Sequence, residues 1–311
     1  MRSLSRREFI SSSFTTAGLL SLGVSGSAEL PEAVRRNQAT VSKPPASRSA
    51  MKKGLVLDMV AKNLSPAERF RMVRDAGFEV VQAPTTPDEP TAEAIKRAAD
   101  DSKIRIDSVM NMDHWKYPLS SSDAAVVEKS LAGMRTSLHN AQLWGANVVL
   151  LVPAVVNPQT PYRDAWTRSQ TEIRKLLPLA EDLKVVIGIE EVWNKFLLSP
   201  MEMVAYIDEF QSPWVKAWFD VGNVLFYGYP QDWIRTLGQR IVDVHLKDFK
   251  RKQDGYAWVN LGEGDVDWAA VRQALADIGY AGGVIVELAG GDQAYLHDVS
   301  QRVDRLVLGT S

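Results

Sequence analysis

The sequence predicts an α/β protein with one folded domain, a single (β/α)₈ barrel. Three observations carry this. From residue 52 onward, segments whose apolar residues recur every second position alternate with segments of helical period. The alternation runs to eight strands and eight helices over about 260 residues, the usual size of such a barrel. The last four strands read VVIGIE, VKAWFD, IVDVHL and GVIVEL, and each delivers one residue able to hold a metal: Glu190, Asp220, His245 and Glu287. A doubly wound nucleotide-binding sheet is the competing order, but no G-x-G-x-x-G follows the first strand.

In chain order, residues 54–59 form an apolar first strand. Ser65-Pro66-Ala67-Glu68 opens the first helix, with a Ser N-cap, Pro in the first turn and Glu three residues after the cap. Gly77 ends that helix, and residues 78–83 are the second strand. A helix over 92–101 and a strand over 104–110 follow. A long helix over 121–144 is closed by Gly145 before a strand over 147–153. A helix over 163–183 leads to the four ligand-bearing strands. Their helices fall at 200–210, 231–239 and 266–278, and a last helix at 294–306 closes the domain.

Helices between the strands make the strands parallel, so their carboxyl ends share one rim, where such barrels keep their active sites. Val242, Val244 and Leu246 take one face of their strand, and Asp243, His245 and Lys247 take the other. By the same parity Glu190 stands opposite Ile187 and Ile189. Glu191 falls on their side, against the helices, so Glu190 is the expected ligand. Three carboxylates and an imidazole suit one divalent cation, Mn²⁺, Mg²⁺, Co²⁺ or Zn²⁺.

Composition narrows the function. The chain has 311 residues, 45% hydrophobic and 24% charged, with a formal net charge of −2. That balance provides no general attraction to nucleic acid, and no nucleic-acid partner is expected. There is no cysteine, so disulfides and thiolate metal sites are excluded, and four histidines are too few for a cluster of imidazole-bound zincs. At the N-terminus, Ser5-Arg6-Arg7-Glu8-Phe9-Ile10 resembles a twin-arginine export signal. A weakly apolar stretch and the small residues Gly26-Ser27-Ala28 follow it. The expectation is a signal peptide over 1–28, a flexible linker over 29–50, a catalytic domain over 51–311, and a periplasmic or secreted location. No stable membrane span is expected after processing, because the apolar stretch is short and rich in Ser and Thr.

IEEVWNKFLLSP, WVKAWFDVGNVLFYGYPQDWI, VHLKDFKR, LGEGDVDW and VIVELAGG together resemble the sugar phosphate isomerase/epimerase family, whose members have a xylose-isomerase-like barrel. The resemblance covers residues 52–308. It implies a carbohydrate substrate, with Glu190 and Glu287 as metal-binding and catalytic carboxylates and with Asp220 and His245 as further ligands. By the same resemblance Arg251 and His114 lie near substrate, and a homo-oligomer is possible, since relatives often dimerise. The chain departs from several epimerases at Asn223, where they have His, at Leu197, where some have Glu, and at Gln82, where many have Glu.

A metal that chelates a carbonyl oxygen and its neighbouring hydroxyl stabilises the enediolate left by proton removal, and two carboxylates can take and return the proton. Epimerisation and aldose–ketose isomerisation share that step, as does loss of a β-hydroxyl by a dehydratase or lyase. A non-catalytic sugar-binding barrel has no need of two bases. Trp193 is a candidate for stacking on a sugar face and Asn194 for hydrogen bonding to substrate. Lys247 reaches toward the site by its strand parity. Gly262 and Gly264 offer a loop that can approach a ligand or simply serve the turn before the next helix.

Overall fold

The computed structural model describes residues 51–253 and 255–310. The signal and linker expected over 1–50 lie outside the described residues. Eight parallel strands close a barrel: β1 (Lys52–Val56), β2 (Val80–Pro84), β3 (Arg105–Met110), β4 (Val148–Leu151), β5 (Val186–Glu190), β6 (Val215–Asp220), β7 (Ile241–Leu246) and β10 (Gly283–Val286). They neighbour one another in chain order, and β10 returns to pair with β1. Between β7 and β10 lies an antiparallel hairpin, β8 (Asp248–Lys252) and β9 (Gly255–Val259).

The outer layer holds α1 (Pro66–Asp75), α2 (Glu89–Ser102), α3 (Ala124–Trp144), α4 (Tyr162–Arg174), α5 (Leu177–Leu183) and α6 (Pro200–Asp208). Beyond these come a single turn, α7 (Val221–Val224), then α8 (Pro230–Leu237), α9 (Trp268–Asp277) and α10 (Gln293–Val303). The expected Ser65 cap is present. Ser65 Oγ accepts from the Glu68 amide at 3.3 Å, and Glu68 Oε2 accepts from the Ser65 amide at 2.8 Å. The helix expected over 163–183 is two helices, because Pro178 has no amide hydrogen and its ring collides with the carbonyl four residues back. The first strand is shorter at its end than expected, turning at Val56 into a 3₁₀ turn over Leu57–Met59.

Alternation along the strands divides the core in two. Leu55, Val81, Val149, Ile187, Ile189, Phe219, Val244 and Val286 pack outward against the helices. Val56, Val80, Val148, Leu150, Trp218 and Ile285 fill the barrel interior. Val242 packs with the interior set and not with Val244 and Leu246, because the β6–β7 register shifts between Ala217 and Trp218. Gly188 makes room for the Trp218 ring: a Cβ there would lie 3.2 Å from Trp218 Cε3 and 3.1 Å from Val148 Cγ2. The buried Trp218 ring in turn stands edge-on to His245, with centroids 4.8 Å apart, and forms the floor of the site. Among the described residues no helix is long and apolar enough to cross a membrane.

Candidate metal centre and active site

Glu190, Asp220 and His245 end adjacent strands β5, β6 and β7, and Glu287 follows β10 directly. Each of the four offers a ligand atom within 4.8 Å of the others. His245 is the hub. Its Nδ1 lies 2.9 Å from Glu190 Oε1, 3.0 Å from Glu287 Oε2 and 3.7 Å from Asp220 Oδ2. On the other side, His245 Nε2 donates to Gln82 Oε1 at 2.9 Å. With that hydrogen on Nε2, Nδ1 is the nitrogen whose lone pair can face a cation.

Asp220 is oriented before any ligand arrives. Its Oδ1 accepts from the Gly222 and Asn223 amides, both at 2.8 Å, which also caps α7. Its Oδ2 is buried without a hydrogen-bond partner, although the Lys247 ammonium stands 2.9 Å away. Glu191 braces it from behind: Glu191 Oε1 accepts from the Asp220 amide at 2.8 Å, and its carbonyl accepts from Asn223 Nδ2 at 3.0 Å. Glu191 is thus not a ligand but a support, and full burial pushes its carboxyl well above the usual range. Three convergent carboxylates, one of whose oxygens is buried without a hydrogen-bond partner, and an imidazole whose Nδ1 faces them fit a divalent cation.

The charges are unevenly shared. Burial opposes charge on Glu190, His245, Lys247 and Glu287, but the Glu287 and Glu190 carboxylates outweigh it at His245, which is raised to about 10. Burial raises Glu190 overall, against the pull of His245 and Lys247. Burial acts the same way on Glu287, but His245 and Lys247 overcome it and hold that carboxyl well below the usual range. Lys247 lies 2.7 Å from Glu287 Oε2 and is held cationic by Asp220 and Glu287 despite its burial.

The remaining candidates divide. Lys247 enters the site as its parity implies. His114 is buried on the loop after β3, with Nδ1 unpartnered. Burial lowers it to about 4 against the pull of Glu287 and Asp113, so it is a neutral imidazole at pH 7. Trp193 stands at the rim, 37% exposed, its Nε1 donating to the Asn223 carbonyl at 2.9 Å.

Two candidates are engaged elsewhere. Asn194 is a loop clamp: Nδ2 donates to the Ala154 carbonyl at 2.6 Å, and Oδ1 accepts from the Phe196 amide at 3.0 Å. Arg251 turns from the carboxylates toward the Leu225 and Phe226 carbonyls, tying the hairpin to that loop. Gly262 and Gly264 wrap the buried Asp248, whose Oδ2 accepts from the Gly262 amide at 2.7 Å and from Trp268 Nε1 at 2.9 Å. A Cβ on Gly264 would fall 2.0 Å from Asp248 Oδ1, so this loop serves the turn.

Sequence reasoning missed Trp258, whose ring centroid is 5.7 Å from Lys247 Nζ. It also missed the partnership of Gln82 with His245. Trp258 was detectable: Tyr256 and Trp258 alternate with Ala257 and Val259 after an Asp-Gly pair, a hairpin signal. Gln82 had no local signal, because its partner lies 163 residues away.

The parallel barrel and the metal-capable rim at the carboxyl ends of its strands define a TIM-barrel protein with an enzyme-like mouth. A family model described as "Xylose isomerase-like TIM barrel" matches residues 70–302, and the chain belongs to that family. L-ribulose-5-phosphate 3-epimerase UlaE of Salmonella paratyphi A is 26% identical over 234 residues, covering 71% of this chain and 81% of that protein. A solved D-psicose 3-epimerase superposes with a TM-score of 0.69 at 20% identity, over 83% of this chain and all 100% of that one. The 3-keto-D-glucoside 4-epimerase YcjR of E. coli does so with a TM-score of 0.68 at 15% identity, over 82% and 98% of the two chains. The homologues are sugar epimerases, enzymes of the isomerase class.

Proposed function

We propose that the protein is a metal-dependent sugar isomerase or epimerase that moves a proton on a carbon beside a carbonyl. The observation that carries this is the pairing of Glu190 and Glu287. They come from β5 and from the end of β10, with β6 and β7 between them around the barrel, and their ligand atoms converge to within 4.8 Å. A divalent ion held by Glu190, Asp220, His245 and Glu287 supplies Lewis-acid polarisation of the substrate's oxygens.

The chain's own groups do the rest. Environments that push two carboxylates apart mark an acid–base pair, and here burial makes Glu190 the more basic while two cations keep Glu287 ionised. One takes the proton and the other returns it. Lys247, fixed between Asp220 and Glu287, keeps a positive charge beside any oxygen that gains negative charge. The neutral His114 offers an unpartnered Nδ1 to a substrate hydroxyl.

The test is solvent deuterium incorporation. The metal-loaded protein is incubated in D₂O with a panel of ketoses and 3-keto sugars, beside Glu190→Gln and Glu287→Gln. Exchange into recovered sugar is expected with the wild type and is expected to fall by about 10²–10⁴-fold in each variant, with unchanged circular dichroism. Exchange that survives in both variants would remove the pair from the chemistry.

A further inference from the structure

Beside the carboxylates the rim carries an aromatic shelf that the proton chemistry does not use. Trp258 of β9 reaches Lys247, and Gly222 lets it approach: a Cβ there would lie 3.0 Å from Trp258 Cζ3 and 2.7 Å from Lys247 Cβ. Trp258 stacks on Trp193, with centroids 5.1 Å apart and planes at 26°. Tyr256 stands edge-on to Trp193 at 4.7 Å, and Phe226 packs at 5.6 Å. These side chains stay open to solvent, from 37% for Trp193 to 55% for Phe226.

Behind Trp193 opens a cavity of about 270 Å³ lined by Val192, Trp193, Leu198, Phe226, Tyr227 and Tyr256. Lys195 is the single charged residue of its lining. Val192 joins the two spaces, for it also packs in the barrel interior with Trp218. An exposed apolar surface continuous with an active site marks a place for ligand rather than a spare face.

We infer that the shelf and its cavity are a subsite for an aromatic aglycone, so that the substrate is an aryl glycoside whose sugar ring carries a keto group, and not a free monosaccharide. The inference rests on the sugar-directed reading of the metal centre. It commits to an aromatic ring because a second pyranose ring would need hydrogen-bonding partners for its hydroxyls, and the lining is almost wholly aliphatic and aromatic. Planar rings pack flat or edge-on against Trp, Tyr and Phe with large contact area and little loss of freedom. The sugar ring then lies at the four metal-capable residues, and the aglycone leaves the mouth over Trp258 and Trp193.

The test compares ligands that differ only in the aglycone. The metal-loaded full chain is titrated, by quenching of tryptophan fluorescence and by calorimetry, with 4-nitrophenyl glycosides of several hexoses and pentoses and with the matching methyl glycosides. At least one 4-nitrophenyl glycoside should bind about tenfold or more tighter than its methyl counterpart. Phe226→Ala and Leu198→Ala should each narrow that ratio to within about twofold while keeping metal content and thermal midpoint. Two variants are used because Phe226 also packs on Phe249, 6.0 Å away, whereas Leu198 is an exposed loop residue.

No 4-nitrophenyl glycoside surpassing its methyl counterpart would overturn the inference. So would a ratio unchanged in both variants, or a shelf covered in solution by a second copy of the chain, seen as a dimer that Leu198→Asp dissolves. A preserved aryl preference without deuterium exchange into any keto sugar of the panel would instead sink the proton chemistry and leave the subsite standing.

Discussion

His245 has no idle nitrogen. One side of its ring is fixed by Gln82 and the other faces three carboxylates. That arrangement makes Gln82 a tautomer-setting residue that never touches the metal position. In Gln82→Leu the buried Nε2–H loses its acceptor, a penalty of about 1–3 kcal/mol. The lone pair is then no longer committed to Nδ1. Metal affinity is expected to fall about 10–100-fold, read by competition against a calibrated chelator. Affinity within twofold of wild type would mean that the carboxylates orient the imidazole unaided. An amide has no charge, so it orients the ring without adding a fourth negative group to the site.

At the scale of elements, the eight strands were legible from apolar runs set between helical segments, and the four metal-capable residues because each of the last four strands carries a conspicuous polar residue at or just past its end. The parity that separated Glu190 from Glu191 is the parity of the barrel: Ile187 and Ile189 pack outward, and Glu190 meets His245. What stayed hidden depended on distant partners or on close approach. The Asn194 amide is taken up by the Ala154 and Phe196 backbone, and no local pattern encodes that. The hairpin after β7 was not anticipated, because Lys250, Arg251 and Lys252 dominate its first strand and hide its alternation. Its packing needs Gly222. Gly222→Ala would drive a methyl group into Lys247 and Trp258, and a destabilisation of about 1–3 kcal/mol is expected. Urea unfolding followed by tryptophan fluorescence measures it. An unchanged midpoint would show that the hairpin yields without loss.

For the whole molecule, three carboxylates at the mouth face two cations, the His245 imidazolium and the Lys247 ammonium. His245 is raised to about 10, above the ordinary 6.5 of the unfolded chain. Without metal, its contribution to stability is complete below pH 6.5 and is lost as pH rises through about 10. Metal acts in the opposite sense, since it must replace the proton on Nδ1. Binding at pH 8 is therefore expected to release close to one proton, with apparent affinity rising about tenfold per pH unit toward pH 10. Calorimetry in two buffers of different ionisation enthalpy counts that proton. A count near zero would mean that the imidazole is already neutral.

Asp248 bears on all of this from a distance. Its backbone pairs with Val259 at the base of the hairpin, and its carboxylate pins the loop that follows. The base is thus fastened to the loop before α9, and further out Arg251 is held by Asp265 and by the Leu225 and Phe226 carbonyls. The molecule separates where it reacts from what it grips: the ring of strands keeps the reacting groups, and a clipped-on arm can be rewritten for new cargo without unsettling them.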